Sequence, residues 1–127
     1  MSIIRLDHFN IRAPQKVIDE VVVFYKNLLD LVPGPRPDFG IDGDWLYDGD
    51  HPMVHLAVDE AAIPPADNQY LNHIAFQCWG MDRYIQRLNA MNVPFEDIYV
   101  SELDLTQLFF YDPAGIFIEL DFHHEKV

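Results

Sequence analysis

The 127-residue chain has few cations, one cysteine and no long apolar run. Only 8 Lys and Arg stand against 21 Asp and Glu, which gives a net charge of −13. This charge opposes the neutralisation of phosphates on which nucleic-acid binding depends, so we expect neither nucleic acid nor an anionic membrane as a partner. Because the same field repels anions, an anion site needs a metal ion or arginines such as Arg12 and Arg36.

The scarcity of cysteine and of apolar runs excludes further classes. A single cysteine, Cys78, forbids an internal disulfide and is too few for a thiolate metal site. No window approaches eighteen uncharged apolar residues, and neither end has a charged stretch followed by an apolar run. We therefore expect no signal peptide and no membrane span, and one compact domain in the cytoplasm.

Two stretches of the sequence repeat each other. "LDHFNIRA", from Leu6 to Ala13, returns as "LNHIAFQC", from Leu71 to Cys78, and each places a histidine third. A helical pattern follows each stretch, at about Pro14 to Leu31 and about Met81 to Met91, and three short strand candidates follow each helix. The repeat predicts an α+β fold of two βαβββ modules, at about 1–58 and 70–127, with a polar linker at 59–69.

The expected strands are segments in which apolar and polar residues alternate and which end at turn residues. Those of the first module span Ile3–Ala13, about Pro35–Phe39, Asp44–Asp48 and Met53–Val58. Those of the second module span Leu71–Trp79, about Glu96–Val100, Thr106–Tyr111 and Ile116–Phe122, and the turn Asp112–Gly115 joins the last two.

The polar residues repeat as well. The opening strand of each module carries a histidine, His8 or His73, and the closing strand carries a possible metal ligand, His55 or Glu119. Residues two apart share a strand face, so these four side chains can all point away from the helices. Imidazole and carboxylate suit zinc, nickel, iron or manganese, and His8, His73 and Glu119 would form a triad with open positions for substrate. His55 is either a fourth ligand or a nearby acid/base group.

Six further side chains are candidates for substrate contact, because they continue these faces or form an aromatic wall: Asn10, Arg12, Trp45, Tyr47, Gln107 and Phe109. The remaining histidines lie in a turn or near the tail, and we expect solvated positions for His51, His123 and His124.

The chain resembles the vicinal oxygen chelate superfamily, which includes glyoxalases, bleomycin-resistance proteins and extradiol dioxygenases. The resemblance rests on "LDHFNI", "FYKNLLDL", "LNHIAF" and "YDPAGIFIEL". The last phrase is the most specific, since members commonly close with an Asp-Pro-x-Gly turn that leads into a strand whose glutamate is a ligand. The resemblance implies a glyoxalase-like fold, a cupped sheet around one metal ion bound by His8, His73 and Glu119, and a homodimer.

The same resemblance implies a metal-dependent isomerase or lyase. Its small-molecule substrate would chelate the ion through two adjacent oxygens, and Glu119 or His55 would be the base. His55 stands where glyoxalase I enzymes usually have a glutamate ligand, which is a departure from the enzymes of the lactoylglutathione reaction.

Three alternatives remain within the superfamily. An Fe(II) extradiol dioxygenase is less well matched, because Phe109 stands where a tyrosine is typical and no histidine lies between His73 and His123. A metal-free binding protein of the bleomycin-resistance type usually lacks the ligand residues. Fosfomycin-resistance thiol transferases resemble the chain in the triad alone, because this chain is poor in the Lys and Arg of their phosphonate pocket.

Overall fold

Two compact units of the same make-up divide the chain, one within residues 1–64 and the other within residues 65–127. The structure is a computed structural model, and it describes residues 2–64 and 70–127. Each unit has one α-helix and one four-stranded sheet. Of the linker predicted at 59–69, residues 65–69 lie outside the described ranges, and the single domain stays a prediction.

The first unit begins with a strand, continues with a helix and closes with three strands. Its elements are β1 (Phe9–Ala13), α1 (Gln15–Leu29), β2 (Val32–Gly34), β3 (Gly43–Asp48) and β4 (His51–Val58). The strand order is β1-β4-β3-β2, in which β1 runs parallel to β4 and the other neighbours are antiparallel.

The second unit repeats this plan. Its elements are β5 (Ile74–Cys78), α2 (Met81–Ala90), β6 (Glu96–Val100), a short 3-10 helix (Ser101–Leu103), β7 (Leu105–Tyr111) and β8 (Phe117–His123). The strand order is β5-β8-β7-β6, with β5 parallel to β8. The α+β class and the two βαβββ modules predicted from the repeat are confirmed.

Each helix covers one face of the sheet in its own unit. In the first unit the buried core includes Ile11, Ile18, Val21, Phe24, Tyr25, Leu28, Leu46, Val54 and Leu56. In the second unit it includes Met81, Leu88, Leu108, Phe110, Ile118, Leu120 and Phe122. Because strand side chains alternate between faces, this packing leaves the other face of each sheet for polar and aromatic residues.

A carboxylate from beyond each closing strand caps the helix of its own unit. Glu60 accepts a hydrogen bond from the backbone N–H of Gln15 at 3.0 Å. Glu125 accepts two, from Gly80 at 2.9 Å and from Met81 at 2.8 Å. Helix N-termini leave N–H groups unpaired and attract negative charge, so the carboxylates stabilise both helices. The internal repeat therefore includes these capping contacts.

Both opening strands are shorter than the sequence pattern predicts. The strand predicted from Ile3 begins at Phe9, and the strand predicted from Leu71 begins at Ile74. The histidines therefore lie just before the strands and not on them. In the first unit, Phe9 pairs with Val54, and the next residue back on β4 lies at a register shift, so that strand pairing stops there.

The strand predicted around Pro35–Phe39 is also wrong. The strand that pairs with β3 is β2, at Val32–Gly34. Pro35 and Pro37 have no backbone N–H to donate to a ladder, which disfavours continuation of the strand through both of them. Residues 35–42 form the loop that leads into β3.

Among the described residues, no helix is both long enough and apolar enough to cross a membrane.

Candidate metal centre

Three flat side chains stack on one another in the first unit. The ring of His8 lies over the ring of His55, with centroids 3.6 Å apart and planes inclined by 10°. His55 stacks in turn on Trp45, with centroids 4.0 Å apart and planes inclined by 15°. His55 is therefore enclosed on both ring faces and is only 8% exposed.

The register of the first sheet explains the stack. His55 on β4 is the cross-strand partner of Asn10 on β1 and of Trp45 on β3. Cross-strand partners point to the same face, so the three side chains lie side by side on the face that α1 does not cover. His8, just before β1, then closes over His55.

The tautomer of His8 follows from its neighbour. Nδ1 of His8 lies 2.6 Å from a carboxylate oxygen of Asp7, and a carboxylate can only accept, so Nδ1 carries the proton. This hydrogen bond is the main reason that the pKa of Asp7 is lowered. Nε2 of a neutral His8 therefore keeps its lone pair for a metal ion, with the carboxylate behind it.

His55 is oriented differently. Its Nε2–H donates to the backbone carbonyl of Pro52 at 3.1 Å. Burial, followed by the neighbouring His8, lowers the pKa of His55, which favours the neutral ring. An imidazole ligand holds a metal ion in its own ring plane, and the planes of His8 and His55 are almost parallel. As arranged, the two rings do not direct lone pairs at a common point.

The second unit brings together a histidine and a carboxylate. Nε2 of His73 lies 3.1 Å from Oε1 of Glu119. Nδ1–H of His73 donates to the amide oxygen of Asn72 at 2.7 Å. Nε2 of a neutral His73 therefore faces the carboxylate with a lone pair, so that one of the two groups must carry a proton or both must serve as ligands of a cation.

Glu119 is 5% exposed and lies among polar neighbours. Gln107 donates a hydrogen bond from Nε2 to Oε2 of Glu119 at 3.1 Å. Burial, followed by the nearby Asp121, raises the pKa of Glu119 to about 7. Oδ1 of Asp121 is enclosed and has no hydrogen-bond partner among the described residues. A cation at this place would favour the charged form of Glu119.

Aromatic rings border this pair. Phe109 and Phe117 each present an edge-on contact to His73, with centroids 6.2 Å away, and stack on each other at 5.6 Å. Beside them is an open cavity of about 510 Å³, lined by Pro94, Phe95, Glu96, Phe109, Phe110, Tyr111 and Phe117. Phe109, a predicted substrate contact, is thus part of a cavity wall next to His73.

The first unit has a smaller cavity of about 220 Å³ beside the ring stack. It is lined by Asn10, Arg36, Phe39, Ile41, Trp45, His55, Leu56 and Ala57. Two of the predicted substrate contacts, Asn10 and Trp45, are therefore wall residues of one cavity together with His55.

The other predicted substrate contacts are engaged within their own unit. Arg12 forms an ion pair with Asp59 at 2.9 Å, and this bond is the main reason that the pKa of Asp59 is lowered. The hydroxyl of Tyr47 donates to the backbone carbonyl of Pro35. Gln107 supports Glu119, as described above.

The remaining histidines differ from one another. His51, for which the sequence predicts a solvated position, is instead half-buried, because its ring bonds to the Asp7 carbonyl and to Arg5. His123 and His124 are exposed, as expected, and His124 lies 3.1 Å from a carboxylate oxygen of Asp104.

Within neither unit do the described residues gather three or more His, Cys, Asp or Glu side chains into a group that could hold a metal ion. The first unit offers His8 and His55, and the second offers His73 and Glu119.

Three polar neighbours of these residues, Asp7, Asn72 and Asp121, were not among the predicted site residues. Asp7 and Asn72 orient the two histidines, and the internal repeat carries the signal for them, since each stands directly before its histidine. Asp121 follows Glu119 by two positions, so parity applied to β8 would have placed it on the same face.

The sequence is similar to glyoxylase I 4 of Arabidopsis thaliana. The two are 33% identical over 122 residues, which cover 91% of this chain and 68% of the relative. No protein-family model matches the chain.

Solved structures share the fold along nearly the whole chain. A glyoxalase family protein from Bacillus anthracis is 25% identical with a TM-score of 0.76, and the match covers 97% of this chain and 98% of that one. The fosfomycin resistance protein FosX from Listeria monocytogenes, solved with Mn(II) and 1S,2S-dihydroxypropylphosphonic acid, is 16% identical with a TM-score of 0.71. That match covers 95% of this chain and 93% of FosX. The likeness to fosfomycin-resistance proteins, expected in the triad alone, therefore extends to the fold.

Paired βαβββ modules with this strand order define a glyoxalase-like protein. The identity to the Arabidopsis relative is high enough to assign the family. The chain belongs to the vicinal oxygen chelate superfamily and, within it, to the glyoxalase family.

Proposed function

We propose that the protein is a metal-dependent isomerase or lyase that acts on a small molecule with two adjacent oxygens. The proposed ligands of the divalent ion are His8, His73 and Glu119. One observation carries the proposal: Nε2 of His73 and Oε1 of Glu119 face each other at 3.1 Å, while the other ring nitrogen of His73 is bonded to Asn72. The family assignment supports it, and FosX, which shares the fold, was solved with Mn(II).

The donor groups fit a divalent metal ion. Each of the two proposed histidine ligands donates Nδ1–H to the residue before it, Asp7 or Asn72, and so keeps the Nε2 lone pair. A hydrogen-bonded second nitrogen is the usual arrangement of a metal-binding histidine. The donor set of two imidazoles and one carboxylate suits zinc, nickel, iron and manganese alike, and does not choose among them.

When bound, the ion would act as a Lewis acid that stabilises negative charge on the substrate oxygens. The chain's own residues would do the rest. Gln107 holds one oxygen of Glu119, which fixes the direction of the carboxylate. Glu119 then has a defined place from which to take or return a proton beside the substrate.

For His55 we favour the acid/base role over that of a fourth ligand. The ring is held between His8 and Trp45, and its Nε2–H is bonded to the Pro52 carbonyl. Its near-parallel stacking on His8 is unsuited to binding the same ion as His8. A neutral ring in the wall of the cavity is suited to accepting a proton at Nδ1.

The reaction class is tested by proton exchange. The metal-free protein is reloaded separately with zinc, nickel, manganese and Fe(II), and each form is incubated with α-hydroxycarbonyl compounds in deuterated water. An isomerase or lyase should exchange the hydrogen next to the carbonyl, as NMR would detect, and the Glu119→Gln variant should not. Oxygen uptake with catechols only in the Fe(II) form would instead favour the dioxygenase. Ligand binding without any metal uptake would favour the bleomycin-resistance type.

Two expectations from the sequence, the homodimer and the cytoplasmic location, stay predictions. The oligomeric state bears on the proposed centre because its ligands come from both units.

A further inference from the structure

The cavity of about 220 Å³ in the first unit has an unusual wall for so acidic a chain. Most of the wall is flat or apolar, with Phe39 and the Trp45–His55 stack as its largest surfaces. Asn10 and Arg36 are its polar residues besides His55. Arg36 therefore brings a positive charge into an aromatic cavity of a protein whose net charge is −13.

The guanidinium of Arg36 is held in place by its surroundings. It lies over the ring of Phe39, 5.0 Å from the centroid, and one terminal nitrogen donates to the Ile41 carbonyl at 3.1 Å. The other terminal nitrogen lies so near Gly43 that a Cβ added there would come within 2.9 Å of it. The Leu56 carbonyl lies nearer still, so glycine is needed here first by the backbone of β4 and then leaves room for the guanidinium. These contacts hold the guanidinium in place before any ligand arrives.

The charge of Arg36 has no counter-ion among the described residues. Its Nε is enclosed and makes no hydrogen bond within that part of the chain. In contrast, Arg12, on β1 of the same unit, is paired with Asp59. Arg36 is half-buried, so an anion that entered the cavity would meet a cation that has no carboxylate partner in the described ranges, and could form charge-assisted hydrogen bonds with it.

The size and charge of the cavity define the ligand. The planar fork of a guanidinium matches a carboxylate, and a single arginine balances one negative charge and not two. The aromatic walls suit a flat apolar body, and the volume admits only a small molecule. We propose that this cavity binds the carboxylate of a small, flat monoanion through Arg36.

The carboxylate site adds a substrate class to the proposed function, and its role in catalysis rests on that proposed function. His55 lines the same cavity as Arg36, so a carboxylate bound there would hold the rest of the molecule close to the proposed acid/base group. The substrate class would then be small carboxylic acids that also carry the two adjacent oxygens.

Trp45 gives a direct optical test, because it lines the cavity, whereas the second tryptophan, Trp79, is 78% exposed in the other unit. In a Trp79→Phe background, metal-free protein is titrated with benzoate, with its neutral counterpart benzamide, and with inorganic phosphate. We expect a saturable change in Trp45 fluorescence with benzoate, and binding about tenfold or more weaker with either other probe.

Variants at Arg36 complete the test. Arg36→Met keeps the contact with Phe39 but removes the charge, and should weaken benzoate binding by about tenfold or more; Arg36→Lys should give an intermediate affinity. Arg83→Met, which removes a cation outside the cavity, is the matched control and should bind benzoate like the parent. Equal benzoate affinity in parent and Arg36→Met, no saturable change in the parent, or tighter binding of phosphate than of benzoate would overturn the proposal. Because the protein is metal-free in this test, these results are independent of whether the proposed metal centre exists.

Discussion

Nε2 of His73 lies 3.1 Å from Oε1 of Glu119, and Nδ1–H of the same ring is bonded to Asn72. Two lone pairs therefore meet unless a proton or a cation separates them. Below about pH 7 a proton on Glu119 serves in the metal-free protein, because burial and Asp121 raise the pKa of Glu119 to about 7. The proposed metal ion would take the place of that proton.

The stability of the metal-free protein should depend on pH through Glu119. Its pKa of about 7 in the folded chain exceeds the ordinary 4.5, so between these pH values the folded chain holds a proton that the unfolded chain has released. The free energy of unfolding should therefore fall as the pH rises from about 4.5 to about 7. Urea denaturation across this range, in the presence of a chelator, measures the slope. The Glu119→Gln variant should have a flatter slope, and an unchanged slope would count against the raised pKa.

Gln107 should act on the metal through Glu119. Its side-chain N–H holds Oε2 of the carboxylate at 3.1 Å, and removal of such a support typically lowers metal affinity about tenfold or more. We expect this loss in Gln107→Leu, measured by competition with a chelating dye. Gln86→Leu, an exposed change on α2, is the control and should bind metal like the parent. A Gln107→Leu variant that binds metal as tightly as Gln86→Leu would show that Gln107 does not support the metal ligand Glu119.

His55 should matter for turnover more than for metal binding. In His55→Gln the side chain can still donate to the Pro52 carbonyl, but it has no imidazole nitrogen to accept a proton. Metal affinity should stay within about threefold of the parent, whereas proton exchange should slow by about a hundredfold. His8→Ala should lose the metal instead. A His55→Gln variant that loses metal as His8→Ala does would make His55 a ligand.

The caps on the two helices predict a loss of stability without a loss of the site. Glu125 accepts two backbone N–H bonds at the start of α2, so Glu125→Ala should lower the free energy of unfolding by about 1 kcal/mol. Glu125→Gln, which keeps an acceptor oxygen, should lose less. Thermal unfolding compares both with Glu102→Ala, an exposed change that we expect to be neutral. A Glu125→Ala variant as stable as the parent would contradict the capping role.

The fold could be predicted from the sequence because the same order of strands and helix occurs twice along the chain. The phrases around His8 and His73 and the helices after them predicted the order of elements that both units have. The strand ends were harder to predict, because pairing partners decide them: β1 begins only at Phe9, where the β4 register shifts, and β2 ends before Pro35. The ends of a strand depend on its neighbouring strand, and the alternation pattern within a single segment does not reveal that neighbour.

The candidate centre was predictable in its residue types but not in its supporting contacts. Parity led to His55 and Glu119, whereas the stacking of His55 between His8 and Trp45 depends on side-chain conformation and on the sheet register. The place of the Arg36 charge depends on how its side chain reaches the Ile41 carbonyl and Gly43, which no periodic pattern indicates.

The central claim is that His8, His73 and Glu119 bind one divalent ion, and an equilibrium metal titration tests it most directly. The metal-free protein, His73→Ala and the control His124→Ala are each titrated with zinc, nickel, manganese and Fe(II), and bound metal is counted per chain. The account predicts one ion per chain in the parent and in His124→Ala, with affinity lower by about a hundredfold in His73→Ala. A parent that takes up none of the four ions, or a His73→Ala variant that binds them as tightly, would contradict it.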